Sequence, residues 1–168
     1  MLFRRCFSSD YAVELVGGAD EPLYVPAASG RNSQIIYTHD YIASALHEIA
    51  HWCLAGAARR QQLDYGYWYS PDGRSAEQQQ AFESVEVKPQ ALEWLFSQAA
   101  GQRFAVSIDS LNAPEYDRRP FQLAVWQQVQ RYWRYGLPAR AASFVNALLA
   151  HYQTHSDFYP EAFRLEDL

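Results

Sequence analysis

The sequence predicts an α+β domain that is mostly helical, with an HExxH-bearing helix packed against a second, glutamate-bearing helix and a small β portion beside them. Three observations predict it. Short β-like runs crowd the first forty residues, apolar residues recur at helical spacing through most of the remainder, and glycine and proline stand singly between runs. No internal repeat or low-complexity tract divides the chain, so residues 1–168 read as a single domain.

The β-like pieces are AVELV (12–16), PLYV (22–25) and QIIY (34–37), separated by the turn-forming stretches GGADE and ASGRN. From about Asp40 to Gly56 the period changes, with Ile42, Ala45, Leu46, Ile49, Ala50, Cys53 and Leu54 at helical spacing and Gly56 placed to end the helix. Next, 64-DYGYWYSPDGR-74 alternates Tyr65, Tyr67 and Tyr69 with Gly66 and Trp68 before a Pro-Asp-Gly turn, which suggests an extended aromatic segment. Ser75 and Gln78 form a capping box that opens a helix through SAEQQQAFESVEV. Pro89 either kinks that helix or starts a second one, PQALEWLFSQAA, which Gly101 ends. RFAVSID (103–109) reads as another strand. Two further helices cover roughly 119–135, closed by Gly136, and 139–152, and the tail after His155 has no clear pattern.

Composition narrows the function classes. With 49% hydrophobic and 15% aromatic residues, 168 residues can bury one substantial core. A net charge of −5 argues against broad electrostatic binding of nucleic acid, which needs clustered Lys and Arg, and suits a basic or lysine-bearing partner better. Cys6 and Cys53 make neither a disulfide framework nor a CxxC metal site. The start, MLFRRCFSSDYAVELV, lacks a continuous apolar signal region, and no run is long enough to cross a bilayer. A cytoplasmic protein without a membrane partner is the expectation.

The chemistry concentrates in 46-LHEIAHW-52. A helix turns by about 100° per residue, so His47 and His51, at i and i+4, project from one face with imidazoles able to meet at a single ion. A third ligand is expected from a carboxylate on another helix, and 82-FESVEVKPQALEW-94 offers Glu83 and Glu86 on one helical face. Glu86 is favoured because it stands just before Pro89, where the chain must pack closely, with Glu83 the alternative ligand. Glu48 follows His47 directly and points toward the open side of such a site, as general base in a hydrolase or holder of a substrate amine in an oxygenase. The competing structural reading is a histidine pair packed against carboxylates, with Glu48 bridged to Arg59 or Arg60. His39, one turn before the helix, is a candidate support for the ligands, whereas His151 and His155 read as exposed.

The run HEIAHWCLAGAARRQQLDYGYWYSPDGRSAEQQQAFESVEVKPQALEWLF, continued by FAVSIDSLN, resembles the bacterial elongation factor P hydroxylase family over roughly residues 20 to 150. The resemblance implies a non-haem Fe(II) monooxygenase, with molecular oxygen as cosubstrate and an unidentified electron donor, acting on the β-lysylated lysine of elongation factor P. It also implies His47, His51 and Glu86, or else Glu83, as metal ligands. On that picture the cationic side chain lies against Tyr65, Tyr67, Trp68 or Tyr69, with Asp64 and Asp72 as counter-charge and Arg59, Arg60 and Arg74 toward the partner. Ordinary hairpin packing explains the same aromatic alternation. Two other classes compete: a zinc metallopeptidase with the same ligands and Glu48 as base, and a binding module using 131-RYWRYGLPAR-140, which helical packing also explains.

Overall fold

A computed structural model describes residues 2–64, 75–108 and 117–168. Its elements, in chain order, are α1 (Leu2–Tyr11), β1 (Val13–Ala19), β2 (Leu23–Val25), β3 (Ser33–Thr38), α2 (Ile42–Leu54), α3 (Ala76–Ala99), α4 (Arg119–Tyr135) and α5 (Ala139–Tyr152). Short 3-10 turns follow at Arg59–Gln61 and through the tail at His155–Asp157, Pro160–Ala162 and Leu165–Asp167. The expected α+β architecture, with its HExxH helix against a glutamate-bearing helix, is the one observed.

The three strands form one sheet in the order β1-β3-β2, with β1 parallel to β3 and β2 antiparallel to it. Leu15 and Tyr24 both pair with Ile35, which is buried beneath α2. The sheet bulges between Val16 and Ala19, where a side chain at Gly17 would meet the Tyr37 ring at 2.6 Å. Backbone pairing of Tyr24 with Asp64 then ties the segment after α2 to the sheet.

Helix α3 is the axis of the fold, packing against α2, α4 and α5. Its C-terminal half has no outward face: all residues from Pro89 to Ala99 except Gln98 are buried. The Ser75–Gln78 capping box opens it in both directions, as the sequence predicts. Pro89 lies inside one continuous helix, so neither a new start nor a break occurs there. Proline removes a single N–H and the packing around α3 offsets that loss.

Other expectations are corrected. Residues 2–11, to which the sequence reading assigns no element, form a helix because Phe3 and Phe7, one turn apart, insert into the core beside Trp52. Gly56 does not end α2; Ala55 is its extended C-cap. Instead Arg140 donates to the carbonyls of Trp52, Cys53 and Ala55 at 2.9, 3.0 and 2.5 Å, and Arg60 donates to Ala55 at 2.6 Å. Two cations thus satisfy the negative end of the helix dipole.

The strand expected at 103–109 is absent over residues 103–108. Phe104, Val106 and Ile108 turn inward, as alternate residues of a strand would, but the partner is α3. The Gln90 side-chain amide both donates to the Ser107 carbonyl at 2.6 Å and accepts from its N–H at 3.0 Å, the reciprocal pairing that a neighbouring strand would give. The tail is pinned as well: Phe163 is buried against Trp94, and its carbonyl accepts from the Trp126 indole at 2.9 Å. No described helix is long and apolar enough to cross a membrane.

Candidate metal centre

His47 and His51 sit on the face of α2 that meets α3, and the i, i+4 spacing brings their rings to 4.6 Å between centroids. Their Nε2 atoms face one another at 3.0 Å. The Glu86 carboxylate reaches across from α3, one oxygen 3.4 Å from His47 Nε2 and the other 3.2 Å from His51 Nε2. Among the described residues, donor atoms of His47, His51 and Glu86 form the one group able to hold an ion, all within 4.8 Å of one another.

The spacing fits a metal. An ion about 2.1 Å from each donor would set neighbouring donors about 3.0 Å apart at right angles and about 3.4 Å apart at the tetrahedral angle. The observed separations of 3.0, 3.2 and 3.4 Å span that interval. Two imidazole nitrogens and a carboxylate suit first-row ions such as iron(II) and zinc.

Glu83 is buried one turn earlier but is not part of this group; its carboxylate accepts from Gln79 Nε2 at 3.0 Å. Glu86 is in turn contacted by Gln90 Nε2 at 3.5 Å. A residue that sequence reasoning overlooked stands two turns beyond Glu86: Glu93 accepts a hydrogen bond from His47 Nδ1 at 2.8 Å. Its signal was available in the seven-residue spacing from Glu86, which returns a helix to the same face.

Charges in this cluster hold one another in unusual states. Burial disfavours the His47 imidazolium, yet the Glu93 hydrogen bond and the charges of Glu93, Glu86 and Glu48 outweigh it and raise the group from 6.5 to about 10. Glu86 is driven the other way, to about 2, because the His51 hydrogen bond, both imidazoles and Gln90 overcome the cost of its burial. Burial raises Glu48 above its ordinary range despite the two histidines. Among the described residues Glu48 forms no ion pair with Arg59 or Arg60. Arg59 pairs with Asp64 at 2.5 Å, so Asp64 is already engaged as a counter-charge.

Beside the donors lies a cleft of about 450 Å³, its open mouth included, lined by Tyr24, Glu48, His51, Trp52, Arg59 and Asp64 among others. His39 does not support the ligands: it is exposed on the turn before α2 and stacks on Tyr41 at 5.2 Å. His151 and His155 are exposed, as expected. Tyr65, Tyr67, Trp68, Tyr69, Asp72 and Arg74 lie outside the described residues.

Fold and site together define a helical α+β protein built around a two-histidine, one-carboxylate cluster. A family model described as elongation factor P hydroxylase matches residues 2–163. The elongation factor P lysine hydroxylase of Haemophilus influenzae is 50% identical over 161 residues, an alignment covering 93% of this chain and 88% of that protein. The chain belongs to the elongation factor P hydroxylase family, and is an enzyme of the hydroxylase class.

Proposed function

We propose that this protein hydroxylates the β-lysylated lysine of elongation factor P, using iron(II) held by His47, His51 and Glu86 and molecular oxygen as cosubstrate. The convergence of those three side chains is the observation that carries the reading, and family membership supports its substrate. A ferrous ion at this position supplies the redox chemistry that couples oxygen reduction to hydroxylation of an unactivated methylene, with a further pair of electrons from an external donor.

The chain's own residues bind and orient. The cleft next to His51, walled in part by Tyr24, Ile35 and Trp52, is proposed as the place where the substrate side chain enters. Glu48 lines that cleft and is the acid proposed to face the substrate amine, since Asp64 is taken up by Arg59. Trp52 already carries a cation, since Arg140 lies 4.7 Å over its ring. Tyr65, Tyr67, Trp68, Tyr69 and Asp72, which follow Asp64 in the chain, are proposed to complete the substrate contacts. Zinc peptidase chemistry would use the same donors with Glu48 as base, and the hydroxylase family assignment does not favour it.

The test is mass spectrometry of β-lysylated elongation factor P incubated in air with iron(II)-reconstituted protein and a reductant. Gain of one oxygen on the modified lysine is expected, and is expected to vanish with zinc or in His47→Ala. An unmodified product from iron-loaded protein would overturn the proposal, and cleaved peptide bonds would replace it with the peptidase.

A further inference from the structure

We propose that Glu93 is a positioning residue of the metal site, fixing the tautomer and tilt of His47 so that the Nε2 lone pair is presented to the other donors. The inference rests on the metal-binding reading above and adds a residue that neither holds the ion nor touches substrate.

Neutral imidazole carries its proton on one nitrogen or the other, and only the form protonated at Nδ1 leaves Nε2 free to bind a metal. Here Nδ1 lies 2.8 Å from Glu93, whereas Nε2 is the atom that faces Glu86 at 3.4 Å and His51 at 3.0 Å. An ionised carboxylate can only accept, so the contact with Glu93 selects the Nδ1–H tautomer. Geometry is held as firmly as the proton. Glu93 is 8% exposed and stands between Leu92 and Trp94, at 0% and 5%, in the half of α3 that is buried almost all round. Its carboxylate therefore cannot swing away without disturbing the packed centre of the molecule.

One helix thus carries both a donor and an orienting group. Glu86 and Glu93 lie two turns apart on α3, with Gln90 between them reaching Glu86 on one side and the Ser107 backbone on the other. Carboxylates that accept from the far nitrogen of a ligating histidine typically contribute about 10- to 100-fold to metal affinity. A carboxylate that merely balanced a buried histidine would instead affect folding and leave the affinity of the folded site unchanged.

The experiment measures zinc affinity of the full-length protein at neutral pH by competition with a chromophoric chelator, for the wild type, Glu93→Gln and Glu93→Ala. Circular dichroism reports folding of each. The alanine variant is expected to bind about 10- to 100-fold more weakly, and the glutamine variant to lose less, because its amide oxygen still accepts the Nδ1–H. Affinities of both variants within about twofold of the wild type would overturn the role of Glu93. Should the alanine variant not fold, the glutamine variant decides alone: a loss of more than about threefold supports the role and a smaller one overturns it. A wild-type protein that takes up no zinc would overturn the metal-site reading itself.

Discussion

The two faces of α2 are built for opposite tasks. On one, Trp52 packs edge-on against Phe3 and Phe7, with ring centroids 5.7 and 4.9 Å away, and Ile49 is 1% exposed. On the other, His47 and His51 turn nitrogens toward a buried carboxylate. Apolar packing lowers the free energy of the folded state outright, whereas gathering ionisable groups between two helices costs desolvation that their hydrogen bonds and mutual attraction must first offset. The difference shows how a small protein supports a polar cluster. The aromatic face and the arginine caps anchor the helix, and the histidines inherit its rigidity.

That division can be broken most directly at the polar face. His51→Ala is expected to weaken metal binding by roughly a thousandfold or more and abolish hydroxylation while leaving the helical circular dichroism in place. Metal analysis after dialysis checks it, and stoichiometric metal in the variant would show that this face is not the metal face. At the apolar face, Trp52→Ala is expected to cost about 3–5 kcal/mol of stability in urea unfolding. A variant as stable as the wild type would show that the aromatic cluster does not anchor α2.

Smaller effects sharpen the comparison along α3. Glu86→Gln is expected to reduce metal affinity by at least about 100-fold, more than loss of a group behind a ligand costs, and Glu83→Gln to change it by less than about threefold, because only Glu86 spans the two imidazoles. Calorimetric titration of both variants checks this, and the reverse ranking would move the donor one turn back.

The last effect is the pH dependence of the metal-free protein. His47 is raised from 6.5 to about 10, so its stabilising contribution is complete below pH 6.5 and is lost as pH rises through 10. Glu86 is lowered from 4.5 to about 2, so its contribution is complete above pH 4.5 and is lost as pH falls toward 2. Glu48, raised by burial, adds to the loss as pH climbs through its own titration. Stability attributable to this cluster should therefore decline from about pH 6 to about pH 10 without metal, while metal affinity rises as the ion displaces the His47 proton. Urea unfolding across that range would break the scheme if the cluster's contribution, isolated by comparison with His47→Ala, grew with pH.

How legible each part was follows from the range of the interaction that made it. Local geometry fixes His47 against His51 on any helix, and the Ser75–Gln78 box and Gly136 cap act within a turn, so these could be read directly. The first helix could have been read from Phe3 and Phe7. Residues 103–108 show the limit of such reading: their composition suggests a strand, but nothing local reveals that a glutamine side chain on α3 pairs with the Ser107 backbone.

By itself the sequence determined the helical α+β class, the paired histidines, the capping of α3 and the kinship of the chain, because each depends on residues close together or on an extended pattern. Only the tertiary structure decided that Glu86 reaches the histidines while Glu83 meets Gln79, and that Glu93 holds the far side of His47. The reason is rotational. Glutamates three and seven residues apart share one helical face, and which of them meets a partner depends on how α3 is turned and seated against α2, a register set by packing of the whole core.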